Sequence, residues 1–198
     1  MTAATATAAR ARFRTLEAFA DGRLGLVLVF VWGLAEATVW PIIPDVIVGL
    51  LALVMPCRAV RLFVAMTAGA VAGSAVLWVA SIVAPEAVHA MLLALPGIHP
   101  PMLADAAAAV AGGDPLSMAQ LGPGTPLKVY TWAWAVGPGV PTPLVAGVIL
   151  NRIARVGPVV LVMAILGSAA PAFLRRFDRL VLAVYAVAYV ALYAVYWS

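Results

Sequence analysis

Between Leu24 and Met55 the chain is apolar with little interruption, yet the middle of that run reads Trp32-Gly-Leu-Ala-Glu36-Ala-Thr-Val-Trp-Pro41-Ile-Ile-Pro44-Asp45. Two carboxylates and two prolines inside such a run restrict what it can become. A charged side chain at the centre of a bilayer costs about 3 kcal/mol on insertion scales, so one that is kept there marks a working site. Each proline removes a helix hydrogen bond and clashes with the preceding turn. The flanking legs, Leu24–Thr38 and Val46–Met55, are each shorter than the roughly 20 residues that a spanning helix needs. The spacing therefore predicts a re-entrant helical hairpin over residues 24–55 that enters and leaves on one side. The rival is a single kinked crossing. It would put Arg10–Arg23 and Arg58/Arg61 on opposite sides, whereas the hairpin keeps both sets in the cytoplasm, as the positive-inside rule prefers.

The remaining composition sets that stretch in a membrane. Of 198 residues, 65% are hydrophobic and 10% charged, with a mean hydropathy of +1.08. Soluble domains carry about 25% charged residues. Further apolar blocks lie at Leu62–Ala84, Val129–Leu150, Val156–Leu174 and Leu180–Trp197. An all-α, polytopic membrane protein is predicted, with two opposed re-entrant hairpins and about three full transmembrane helices. The net charge of +4 does not point to nucleic acid. The arginines cluster between apolar blocks, at 10/12/14, 58/61, 152/155 and 175/176/179, which suits cytoplasmic loops and anionic headgroups. The single cysteine, Cys57, excludes an intrachain disulfide. Ala35-Glu36-Ala37 mimics a signal-peptidase site, but the apolar run continues past it to Met55, so cleavage is not expected.

In chain order, residues 1–23 read as a cytoplasmic tail with a short interfacial helix bearing Phe13, Leu16 and Phe19. One integral membrane domain, 24–198, follows. Its first span, 62–84, carries Gly69-(x)3-Gly73, a small-xxx-small face suited to close helix packing. Residues 85–125 hold acids and both histidines but no lysine or arginine, so they are placed outside the cytoplasm. Short helices are expected at Pro85–Leu95 and Pro101–Ala111, and Asp114-Pro115 has the form of an N-cap followed by proline at N1. His89 and His99 lack metal-ligand spacing, and no metal or cofactor is expected. A second hairpin is predicted over 127–150, broken at Pro138-Gly139-Val140-Pro141, then spans at 156–174 and 178–197. A hairpin plus a span, occurring twice, makes the second unit the inverse of the first, a recurrent transporter plan. This arrangement leaves only Arg152 and Arg155 on the outer side. Tyr185, Tyr189, Tyr193 and Tyr196 share one face of the last helix, read as packing and interface anchoring.

Glu36, Asp45 and Lys128 are the candidate substrate- and proton-coupling residues. Opposed hairpins would bring acid and base together inside the membrane, where a paired charge costs far less than a lone one. The plainer alternatives are that Asp45 caps the second leg and that Lys128 snorkels to the interface. Ser74, Ser81, Ser117 and Ser168 have no histidine positioned to activate them, and phosphate-loop and metalloprotease motifs are absent. An enzyme is not expected.

Glu36-(x)4-Pro41-x-x-Pro44-Asp45, then Gly69-(x)3-Gly73, then Pro138-Gly139-Val140 with Ala146-Gly147, resembles the DedA family of membrane proteins, also called the VTT or SNARE-associated Golgi protein domain. The similarity covers roughly residues 30–170. Gly122-Pro123-(x)2-Pro126-x-Lys128-x-Tyr130 looks like a divergent branch of that superfamily. The resemblance implies facing re-entrant hairpins in a bacterial inner-membrane, multi-pass protein. It also implies proton-coupled transport or scrambling of phospholipid or polyprenyl phosphate, with Glu36 and Asp45 at the family's two acidic positions. Where the better-known branch has basic residues flanking its Pro-Gly turn, this chain has Ala135 and Pro141, and Lys128 stands in for that charge. The expected function is a lipid-phosphate transporter or flippase, with Pro41, Pro44, Pro138, Gly139 and Pro141 forming the hairpin turns. The expected partners are membrane lipids, polyprenyl phosphate, protons and further copies of the chain, and not nucleic acid. A small-solute or ion transporter of the same architecture, and a non-transporting scaffold, are the rivals.

Overall fold

A computed structural model describes residues 22–119 and 124–196. The expected tail, its interfacial helix before Gly22, and Gly122-Pro123 lie outside the described residues. Every regular element described is helical. In chain order these are α1 (Arg23–Glu36), α2 (Asp45–Val54), α3 (Ala59–Val83), α4 (Pro85–Leu93), α5 (Pro100–Val110), α6 (Leu127–Val136), α7 (Pro141–Ala169), α8 (Pro171–Arg176) and α9 (Asp178–Tyr196). Short 3₁₀ turns lie at Pro56–Arg58 and Pro115–Ala119.

Glycine sets the register of α1 on α3. A Cβ on Gly69 would collide with the carbonyl of Phe30, and one on Gly73 with that of Leu34. The contact advances in step along both helices, so α1 runs parallel to α3 at backbone contact. Small residues on one face permit this approach, as the Gly-xxx-Gly spacing predicts. The chain breaks after Glu36, turns through Pro41 and Pro44, and returns as α2 to the Pro56–Arg58 turn at the foot of α3. Residues 24–55 thus form an excursion that rises about halfway along α3 and comes back. Its legs separate, however. The chief partner of α1 is α3, whereas α2 packs mainly on α7.

The second half departs from expectation. The predicted break between a leg ending at Leu150 and a span beginning at Val156 does not exist: α7 is one 29-residue helix with Pro158 inside it. Proline in a long apolar helix is tolerated where neighbouring helices compensate for the lost backbone bond. Gly167 of α7 meets the backbone of Leu53, and Val159 and Met163 face Gly49. α7 therefore runs parallel to α2 and antiparallel to α3. Pro141, Leu144 and Val148 lie against Val71–Val79 of α3.

A second excursion has its described sides at Pro115–Ala119 and Leu127–Val136. The chain enters at Gly113, whose Cβ position is 3.9 Å from Pro138, where it leaves. The descending side is the Pro115–Ala119 turn, held on α7 by Met118 against Gly147 and by Asn151 Nδ2 donating to the Met118 carbonyl at 2.6 Å. The rising side is α6, packed on α3 and α5, with the Thr131 hydroxyl 3.3 Å from that of Ser74. The Pro138-Gly139-Pro141 turn links this excursion to α7. Trp134 Nε1 fastens it by donating to the Val140 carbonyl at 2.8 Å. α4 and α5 match the helices expected between 85 and 111. Asp114 caps the following turn, its Oδ1 accepting from Leu116 N at 2.9 Å.

Among the described residues, two helical segments, Pro56–Val83 and Pro141–Ala169, are long and apolar enough to cross a membrane. Three such helices were expected. The last block forms α9, whose apolar stretch Arg179–Ala194 is shorter.

Candidate functional site

Both excursions end at one cavity of about 200 Å³. The first contributes Glu36, Pro41, Ile43, Pro44 and Asp45. The second contributes Gly124, Pro126, Leu127 and Lys128. Asn151, Arg152, Arg155 and Val156 of α7 close a third side, and Leu192 and Tyr193 of α9 a fourth. The three charged residues expected to act together, Glu36, Asp45 and Lys128, do line the same space. Of the predicted turn residues, Pro41 and Pro44 are there, while Pro138, Gly139 and Pro141 are not. Pro141 lines a separate apolar pocket against α3.

The charge pairing differs from the one expected. Glu36 is 3% exposed and accepts a hydrogen bond and ion pair from Arg152, also 3% exposed. Arg152 lies mid-way along α7, not in an outer loop, and its Nε has no hydrogen-bond partner among the described residues. Lys128 is 2% exposed, so it does not snorkel outward. Its Nζ donates to the Trp40 carbonyl at 2.9 Å, tying the tip of one excursion to the other. Trp40 is also held edge-on by Trp32, with ring centroids 5.7 Å apart. Arg155 Nη1 donates to the Thr125 carbonyl at 2.5 Å. Asp45 occupies the first turn of α2, but no side-chain cap forms there, and its buried Oδ1 has no hydrogen-bond partner among the described residues.

The tyrosine face of α9 also reaches this site. Tyr193 Oη accepts from Ile43 N at 2.5 Å, satisfying a donor that the broken helix leaves over. Tyr185 Oη lies 3.0 Å from the Asp45 carbonyl and 2.9 Å from that of Val46, and its one hydroxyl proton is shared between them. It fits because Gly49 has no side chain: a Cβ there would stand 2.9 Å from the hydroxyl. These tyrosines hold the first turn in place, a role beyond interface anchoring.

Arg152, Arg155, Asn151 and the two tyrosines are not among the site residues expected from the sequence. The signal for Arg152 and Arg155 was present as the one charge cluster that the expected topology left on the wrong side. Chemically, the cavity offers three cations against two carboxylates. It is also the meeting point of two helix N-termini, those of α2 and α6, whose first residues both line it. Helix N-termini attract anions through unpaired N–H groups and the helix dipole. Comparison with protein-family models, curated proteins and solved structures finds no match.

Proposed function

We propose that the chain is a bacterial inner-membrane, multi-pass transporter or flippase of a lipid phosphate, with the cavity as its headgroup site. The single observation that carries this reading is the convergence of Lys128, Arg152 and Arg155 with Glu36 and Asp45 where the two excursions meet. With both carboxylates ionised, the site keeps one positive charge in excess, and that excess favours a bound phosphate anion. Buried charge of this kind is retained for a purpose, because an apolar replacement is often at least as stable.

The surrounding surface supports a bilayer setting. Val60, Val64, Val76, Val79 and Ile82 of α3 and Leu161, Val162, Ile165 and Leu166 of α7 are all exposed. In water this continuous apolar surface would drive association. In lipid it is the ordinary outer face of a spanning helix. α3 and α7 are then the antiparallel spans, and residues 24–55 and 115–136 are re-entrant segments entering from opposite sides. Non-helical backbone at membrane depth is tolerated where it lines a cavity, which is where both tips lie.

In the proposed cycle the phosphate displaces Glu36 from Arg152 and takes charge-assisted hydrogen bonds from Arg152, Lys128 and Arg155. Glu36, deprived of its cation, takes up a proton. Release reverses both events, so headgroup and proton movements are linked. Asp45, with an unpartnered oxygen in the same space, is the second proton acceptor.

The test is translocation of a fluorescent lipid phosphate in proteoliposomes, with and without a pH gradient. Wild type is expected to move it, and Glu36→Gln, still folded, to lose at least tenfold in rate. Absence of lipid movement alongside a proton-dependent flux of a small solute would reject the lipid assignment.

A further inference from the structure

We infer that α9 is a lateral gate, and that the chain of a lipid phosphate remains in the bilayer outside α9 while its headgroup enters between α9 and α7. The inference rests on the lipid-phosphate reading of the cavity. Its starting point is size. About 200 Å³ holds a phosphate headgroup but not an acyl or polyprenyl chain as well, since sites for drug-sized ligands run to roughly 300–1,000 Å³. The substrate's apolar part must therefore leave through a wall.

Three of the four walls are fixed. The first turn is anchored through α1 to α3 by the Gly69 and Gly73 contacts. The second tip is held by Lys128, Arg155 and Asn151. α7 is the central helix, in contact with α2, α3 and the Pro115–Ala119 turn. The fourth wall, α9, is attached differently. Its main backbone-level packing is with α8, its neighbour in sequence. Val181 joins a small apolar cluster with Leu53, Val54 and Leu174 near its start, and beyond that the hydroxyls of Tyr185 and Tyr193 reach the first turn.

Leu192 shows how thin this wall is. It lines the cavity and is itself 52% exposed, so this wall is not covered by a further layer of packing at that residue. The outer face of α9 bears exposed Leu180, Val184, Val187 and Val190, an apolar track along which a hydrocarbon chain can lie. Moving the last turns of α9 breaks the tyrosine contacts to the first turn, and it opens the cavity sideways without separating the tips.

The experiment uses the full chain with Cys57→Ser, carrying spin labels at Ile153→Cys on α7 and Val187→Cys on α9, in phosphatidylcholine nanodiscs with and without phosphatidic acid. A longer Ile153–Val187 distance is expected to gain population with phosphatidic acid, and further in Tyr185→Phe/Tyr193→Phe. A distance distribution unchanged by both lipid and substitution overturns the gate. In parallel, a short reducible thiosulfonate bridge between Ile43→Cys and Tyr193→Cys is expected to slow phosphatidic acid translocation at least tenfold, with recovery on reduction. Full-rate translocation in the bridged protein overturns the gate and leaves the transport assignment standing. Labels that separate with lipid, in a protein that moves no lipid phosphate, sustain the gate as a moving wall and reject the transport assignment.

Discussion

Arg152, in the middle of α7, closes a buried ion pair with Glu36 at the end of α1, 116 residues earlier in the chain. The pair joins the first excursion to the second long helix at the depth where both tips meet. Removing one partner of a buried pair leaves an uncompensated charge and costs about 3–5 kcal/mol. Arg152→Met is therefore expected to lower thermal stability in detergent sharply. Glu36→Leu/Arg152→Met is expected to recover most of that loss while remaining inactive. A double variant no more stable than Arg152→Met alone would mean that the arginine is held chiefly by groups other than Glu36.

The link between the tips depends on Lys128. Its hydrogen bond to the Trp40 carbonyl is charge-assisted, a class contributing about 1.5–3 kcal/mol. Lys128→Met is expected to weaken lipid-phosphate binding about tenfold or more, with Lys128→Arg in between, as read by titration with a short-chain phosphatidic acid. Equal affinity in all three proteins would remove Lys128 from the headgroup site.

Much of the first half of the chain was legible in its sequence. Pro41 and Pro44 break a helix in any environment, and Gly69-(x)3-Gly73 marks a close backbone contact by its lack of side chains. The second half was misplaced for a physical reason. Gly137–Pro143 and Gly122–Pro126 are both dense in helix breakers, but breakers report only that a helix stops, not at what depth. Depth is set by packing: Met118 on Gly147, Asn151 on the Met118 carbonyl, and Gly113 beside Pro138. The sequence alone places Arg152 and Arg155 between the second hairpin and the next span, on the outer side, whereas both lie within α7. Their charge is compensated there by Glu36 and the Thr125 carbonyl, both distant in sequence.

The Gly69 contact offers a stability test with an internal control. A methyl at Gly69 would overlap the Phe30 carbonyl, whereas one at Gly112 would meet nothing within 4 Å. Overpacking of this kind costs about 1–3 kcal/mol. Gly69→Ala is expected to lower the melting temperature clearly, and Gly112→Ala to leave it within the scatter of the measurement. Indistinguishable melting curves would contradict the parallel α1–α3 register.

Gly49 makes the same argument at the site itself. The Tyr185 hydroxyl reaches the carbonyls of Asp45 and Val46 only across the space that Gly49 leaves open. Gly49→Ala puts a carbon within about 3 Å of that oxygen, so the flexible end of Tyr185 must move and its two carbonyl contacts weaken. Because the strain falls on a movable ring, the effect on folding is expected to be small, about 1 kcal/mol or less. A net hydrogen bond contributes on that scale, and alanine also favours the helix by about 1 kcal/mol over glycine. The effect on α9 is expected to be larger: faster hydrogen exchange in residues 185–193, with α3 unchanged. Protection of α9 equal to wild type would mean that apolar contacts, and not the tyrosine hydroxyls, keep that wall in place.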